Sequence, residues 1–563
     1  MAEVSVLSQA TGRVNGMRLA QPSTAPTDRR WLILPVLCLS VFLVVVDNTI
    51  VNVALPTLNR HLGASITSLQ WIVDAYSLAF AGLLLAGGGV GDRLGRKGTM
   101  QIGLVFFGVF SAFAAASHST GTLIASRALM GVAAAFIFPA SLAILTTVFE
   151  DPSERQKALG IWGATSGIAV AFGPVVGGAL LEHFWYGSIF LVNLPIVAVT
   201  VLVGQFLIPR LPRIRNHRFD TRGVVLSTAG VTSLVLAIIE GPQWGWTATG
   251  TLVCFAAAAV LLTVFTFLEL RTEGPLLDVR VFAIPRFSGS AISISVAFFC
   301  LFGFIFLITQ YFQFVKGYST FSAGVHTLPF AFVAAVVTPL AAVVALRIGS
   351  RVVVTTGLLL MGAGLVVAAF NSEPNTAYWG PILASMVLLA LGLSSITAPT
   401  AEGVMGSVSD EQRGAAAGVN NTTRELGGTL GVAVFGSIFA SAYAPKIINA
   451  LRPLPIPAGP KAESHQSVAA ALTVVGHAPH AVRPALDAVI FTAFHSGLRV
   501  ACIAGAGVAL LGALAAVRLL PGHKAESAAG AGSGAGTKAD AAADACIESL
   551  SRCPDEGRVL VTV

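Results

Sequence analysis

Ionisable side chains inside long apolar stretches are the places where this sequence could do chemistry. Asp47 has the deepest apolar setting, with Phe42 to Val46 before it and Ile50 to Leu55 after it. Asn48 and Asn52 are four residues apart and Thr49 and Asn52 three apart, so on a helix these polar groups form one broad face. Asp74 follows Trp71 by one turn and stands close to Tyr76; Arg127, Glu402 and the adjacent Arg424 and Glu425 lie in other apolar runs, with Asn420 and Asn421 one turn before the last pair. A charge at membrane depth is costly and marks an ion, proton or substrate path. A carboxylate there can exchange a proton for a cationic ligand. Asp47 is expected to be the main carrier. Asp74, nearer an interface, is expected to stay close to water and to select dications. Glu425 is the third candidate. Structural alternatives stay open: Asp47 can lock the bundle through backbone hydrogen bonds, Asp74 can be a solvated surface residue, and Arg127 can snorkel to the headgroups or pair structurally. Arg424 and Glu425 point about 100° apart on a helix, so at least one needs a partner elsewhere.

Other patterns carry less chemistry. His477 and His480, with His465 nearby, lack a fourth ligand, and the six cysteines have no metal-ligand spacing, so no metal site is expected. No converging nucleophile points to an enzyme. The stretch Gly88-Gly-Val-Gly-Asp92-Arg93-Leu-Gly95-Arg96-Lys97 sets one carboxylate and three cations among glycines. It lacks the Gly-Lys-Ser/Thr of a phosphate loop and reads as a charge-paired latch. Gly163, Gly167, Gly173-Pro174 and Gly177-Gly178 fill another apolar run, where small residues permit close helix approach and a proline bends the backbone.

The elements that position these residues follow from composition. Of 563 residues 55% are hydrophobic and 11% charged, less than half the charge of an ordinary soluble chain. Apolar runs of about 20 residues suffice to cross a bilayer as helices. Fourteen are expected, at 32–56, 69–90, 99–118, 123–148, 159–181, 188–209, 223–240, 250–269, 288–312, 322–345, 351–370, 379–404, 415–443 and 488–519. Gly241, Pro242 and Gly245 are read as the turn between the seventh and eighth. With both termini inside, the inner loops collect Arg93, Arg96 and Lys97, the arginines between 210 and 222, and Arg347 and Arg351, while the short outer loops hold little beyond Arg60 and Lys316. That is a positive-inside pattern. The net charge of +7 is therefore assigned to membrane orientation and not to nucleic acid. The proline-broken stretch 452–460 is expected to be extended.

These residues resemble the major facilitator superfamily, and within it the fourteen-span drug:proton antiporters. The stretch Gly88 to Lys97 is similar to the superfamily's loop motif, with Val90 in place of leucine. Leu123…Arg127-x-x-x-Gly131 resembles the fourth-span proton-coupling motif, although Met130 and Ala133 replace its usual glutamine and second glycine. Gly167…Gly173-Pro174-x-x-Gly177-Gly178 resembles the fifth-span antiporter motif, and Asp47-x-Thr49-x-x-Asn52-Val-Ala-Leu-Pro56 the first-span motif of the drug exporters. Ile189-Phe190-x-x-Asn193-Leu-Pro195 resembles the start of span six.

The resemblance implies an all-α polytopic membrane protein of major facilitator fold, two six-helix bundles plus two extra central helices. The expected division is a cytoplasmic segment 1–30, a first bundle 31–209, a linker with the two inserted helices 210–287, a second bundle 288–520 containing the outer loop 444–487, and a disordered cytoplasmic tail 521–563. It also implies proton-coupled export of amphipathic, often cationic compounds across the cell membrane, with the proton as coupling ion and no cofactor. Export of one endogenous metabolite and, less favoured, symport are the alternatives. Small substrates, protons and lipid are the expected partners; no segment points to nucleic acid or an obligate protein partner.

Overall fold

A computed structural model of the chain describes residues 27–149, 151–209, 220–272, 279–408, 413–452, 464–465, 468–476 and 483–522. The expected N-terminal segment up to residue 26, the proline-broken stretch from 453 and the tail from 523 lie outside the described residues. The described chain is helical and carries no strand. In order the main helices are α1 (Thr27–Leu62), α2 (Ile66–Leu94), α3 (Arg96–Ala115), α4 (Thr120–Val148), α5 (Pro152–His183), α6 (Asn193–Leu207), α7 (Thr221–Trp244), α8 (Thr249–Glu269), α9 (Pro285–Gln310), α10 (Leu328–Ile348), α11 (Ser350–Phe370), α12 (Leu383–Met405), α13 (Arg413–Leu451) and α14 (Arg483–Leu519). Thirteen helical segments among the described residues are long and apolar enough to cross a membrane. Helix α2, at 29 residues, stands where the second span is expected, so each of the fourteen expected runs coincides with a long helix.

Local signals set the helix ends. Ser65, Ser119 and Asp220 cap α2, α4 and α7, each side chain accepting from the backbone N–H three residues on, which satisfies donors a helix start leaves bare. Gly95 and Gly349 turn the chain between α2 and α3 and between α10 and α11, at φ 104° and 90°. A side chain is strained there, and glycine is not.

The packing shows an internal repeat. In α1–α6 the first helix packs on the fifth, the second on the fourth, and the third on the fourth and sixth; α9–α14 repeat every one of these pairings. Across the halves, α2 packs on α13, and α5 packs on α10 and on the short helix Thr320–Val325 that leads into it. Each is the second helix of one half against the fifth of the other. The pair α7 and α8 stands outside this scheme; α7 fills the seam between α2 and α13.

Several expected limits shift. Helix α7 runs through Gly241 and Pro242 to Trp244, and the turn begins at Gly245. Helix α13 continues past the expected end at 443 to Leu451, because Tyr443, Ile447 and Leu451 repeat every four residues and are all buried. The outer loop is correspondingly shorter, and within it Val468–Gly476 is helical. The sixth span is broken, a turn at Ser188–Leu191 preceding α6.

Candidate coupling site

Five helices converge on Asp47, midway along α1. Arg127 of α4 donates from Nη1 to Asp47 Oδ2, and both side chains are wholly buried. Asn193, the first residue of α6, donates from Nδ2 to Asp47 Oδ1 at 2.8 Å and to Ser111 Oγ of α3 at 3.0 Å. The Ser111 hydroxyl donates to the Phe190 carbonyl at 2.8 Å. Arg127 also donates from Nε to the Ile72 carbonyl at 3.2 Å, and its guanidinium carbon lies 4.3 Å from the centre of the Tyr76 ring. Tyr76 in turn donates to the Val44 carbonyl at 3.1 Å. The helices must come close to build this cluster. A Cβ on Gly131, one turn after Arg127, would lie 2.3 Å from the Tyr76 carbonyl oxygen, so only glycine lets α4 lie this near α2.

The energetics follow from burial. Removing one member of a buried ion pair leaves the other charged and uncompensated, at a cost of about 3–5 kcal/mol. Arg127 and Asn193 between them hold both oxygens of the Asp47 carboxyl group. The site therefore ties the charge on one atom group to the relative positions of α1, α4 and α6.

Asp74 departs from expectation. It is fully buried and neither carboxylate oxygen has a hydrogen-bond partner. The cause is the seam that covers its helix face. One turn earlier, Gln70 Nε2 donates to the Ala433 carbonyl of α13 at 2.9 Å. Trp71 Nε1 donates to Glu240 Oε1 of α7 at 3.1 Å, and Gln243 Nε2 to Thr67 Oγ1 at 2.7 Å. Sequence reasoning placed this turn next to water because it could not show that α13 and α7 close over it.

The remaining candidates divide by half. Asn48 and Asn52 are buried, Asn52 donating to the Asn48 carbonyl at 3.1 Å, and both side-chain oxygens lack partners. In the second half the Arg424 guanidinium carbon lies 4.4 Å from the centre of the Phe298 ring on α9, which supplies the partner on another helix. Glu425 is half-buried. Asn420 is buried with its side-chain oxygen unpartnered, and Asn421 is half-buried.

In the latch motif, Arg96 Nη1 donates to the Ala143 carbonyl at 3.1 Å and to Thr147 Oγ1. Lys97 Nζ donates to the carbonyls of Gln205 and Ile208, both at 2.7 Å. These bonds lie within the first half, tying α3 to the ends of α4 and α6. The side chains of Asp92 and Arg93, and the surroundings of Gly88 and Gly167, lie outside the described residues. In the fifth-helix motif, Cβ atoms on Gly173 and Gly177 would fall 2.0 Å from Thr49 Oγ1 and 2.6 Å from Ile50 Cγ1, so these glycines seat α5 on α1. Gly178 and Pro174 face the short helix Thr320–Val325 of the other half.

Among the described residues, several bonds that cross between the halves lie at one end of the molecule. Gln313 Nε2 donates to the Val53 carbonyl at 2.8 Å, Thr320 Oγ1 to the Gly178 carbonyl at 3.3 Å, and Ala469 N to Asn59 Oδ1 at 3.1 Å. With the Gln70 contact, they close the halves together at the end bearing the α13–α14 connection.

The residues 37–432 match the family model described as Major Facilitator Superfamily. The chain belongs to that superfamily. It is 35% identical over 494 residues to the multidrug efflux pump LfrA of Mycolicibacterium smegmatis, covering 87% of this chain and 97% of that protein. It is 35% identical to the methyl viologen resistance protein SmvA of Salmonella typhimurium, over 80% of this chain and 88% of that one. To the tetracenomycin C resistance and export protein of Streptomyces glaucescens it is 31% identical, over 88% and 93%. A crystal structure of a bacterial homologue of the human lysosomal transporter Spinster, inward-facing and unoccupied, shares the fold at TM-score 0.61 and 17% identity, covering 88% of this chain and 99% of that one. These likenesses make the chain a multi-pass membrane transporter of the major facilitator type, which corresponds to the all-α fold expected from the sequence.

Sequence reasoning missed Asn193 and Ser111 as members of the site. Asn193 stood in the motif quoted for the start of span six, but an amide beside a proline there reads as a helix start. The available signal was an amide entering an apolar run, which must find a partner.

Proposed function

We propose that this protein exports amphipathic, cationic compounds across the cell membrane in exchange for protons, by alternating access between its two halves. The buried Asp47–Arg127 pair, held also by Asn193, carries this reading. A proton on Asp47 neutralises one member of the pair and changes which helix arrangement is cheapest. A cationic substrate that favours the ionised carboxylate then opposes proton binding, and this coupling acts equally in both directions. The names of the relatives, which include multidrug efflux and methyl viologen resistance, support an efflux role. Two of these relatives are named for resistance to a single compound, methyl viologen or tetracenomycin C, which gives weight to a narrower substrate range.

The positive-inside pattern supports an orientation with both termini in the cytoplasm. The end that bears Lys316 and the α13–α14 connection, where the halves are bonded together, is then the outer face. The test uses proteoliposomes with an imposed proton gradient and a panel of cationic, neutral and anionic compounds. Gradient-driven accumulation of cations, with proton release on cation binding in detergent, is expected. Accumulation that persists unchanged when the proton gradient is collapsed would overturn the proton coupling.

A further inference from the structure

The environment of Asn193 is unequal on its two sides. Both hydrogens of its Nδ2 are used, toward Asp47 Oδ1 and Ser111 Oγ. Its Oδ1 is buried with no hydrogen-bond partner. Ser111 can accept from Asn193 because its own hydrogen goes to the Phe190 carbonyl. This orientation serves an ionised Asp47. A proton on Asp47 Oδ1 would meet the Asn193 N–H groups head-on, donor against donor.

An asparagine amide has donor and acceptor ends of nearly the same size. A half-turn about its last torsion would present Oδ1 to Asp47 and Ser111 together. The protonated carboxyl would then donate to Asn193 Oδ1. The Ser111 hydroxyl would swing from the Phe190 carbonyl to the same oxygen. Arg127 would keep its bond to Asp47 Oδ2 throughout.

We propose that Asn193 is a positioning residue for the proton site, its amide reversing with the protonation state of Asp47 so that both states are hydrogen-bonded without separating Asp47 from Arg127. The inference rests on the reading of Asp47 as proton carrier. The buried, unpartnered Oδ1 is the acceptor held in reserve for the protonated state. Reversal would also release the Phe190 carbonyl, in the turn Ser188–Leu191 that leads into α6, so the charge on Asp47 is felt at the backbone break of the sixth span.

The experiment is an infrared titration of the purified full-length protein, with the Asp47 carboxyl band assigned by its loss in Asp47→Asn. In the parent, a side-chain amide band should change with the same midpoint as Asp47. Asn193→Leu should remove that amide change and raise the Asp47 midpoint by about one pH unit, a tenfold change in proton affinity. The sign follows because the charged carboxylate loses the stronger of the two hydrogen bonds. Asn193→Ser, whose hydroxyl can donate or accept, should lie between them and guards against misfolding of the leucine variant. A folded Asn193→Leu with an unchanged midpoint overturns the role of Asn193. An Asp47 that does not titrate in the parent across the accessible pH range overturns instead the carrier reading on which it rests.

Discussion

The Gln70 amide crosses from α2 to α13, donating to the Ala433 carbonyl at 2.9 Å, and so joins the two halves one turn from the bare carboxylate of Asp74. The contact is tight enough to perturb. A Cβ on Gly436 would fall 2.5 Å from Gln70 Cδ. Gly436→Leu is therefore expected to wedge the closed end apart. In Asp74→Cys protein carrying that change, labelling by a membrane-impermeant thiol reagent from outside should rise several-fold over the same protein with Gly436 intact. Equal labelling would show that this contact does not hold the closed end.

Asp74 itself gives a second prediction. A buried carboxylate with no donor is costly when charged, and an amide of the same shape removes that cost. Asp74→Asn should fold with a melting temperature equal to or above the parent's. It should lose transport of doubly charged substrates more than of singly charged ones, as measured by uptake into inverted vesicles. Equal losses for both classes would remove Asp74 from substrate selection.

Asp47→Asn should abolish both export and substrate-driven proton release. Retention of export against a gradient with unchanged proton coupling would transfer the carrier role to Glu425.

Arg127→Ala leaves Asp47 without its cation. A nearby positive charge favours the ionised carboxylate, so its removal should move the pH dependence of transport to higher pH, and the uncompensated charge should cost about 3–5 kcal/mol of stability. The measurement is transport against pH in reconstituted protein, with thermal unfolding alongside. A lowered maximum with an unmoved profile would leave Arg127 a purely structural role.

Lys97 offers a contrast outside the coupling cluster. Its ammonium bonds two carbonyls at the end of α6, where a cation meets the negative end of the helix. Lys97→Met should cost about 1–3 kcal/mol, lowering the melting temperature by a few degrees while the order of substrate preference stays the same. A changed preference order in transport assays would place it in substrate handling.

Much of this was written in the chain itself. The long apolar runs fix the helices, because backbone groups in lipid can be satisfied only within the segment. The buried charges Asp47 and Arg127 declared themselves by their cost in such runs. Gly95 and Gly173 sit where a backbone turn and a helix crossing require them. What the tertiary structure decided is who meets whom. Asp74 reads as an interfacial acid on its own helix, and only the approach of α13 and α7 seals it from water. Asn193 reads as a helix start, and only the convergence of α1, α3 and α6 turns it into a ligand of Asp47. The tail of α13 beyond 443 looks like loop until its apolar residues find a core to enter. Hydrophobic length is a property of one segment and survives in the sequence; a side chain's partner depends on helices hundreds of residues apart, and their packing is set by the whole bundle.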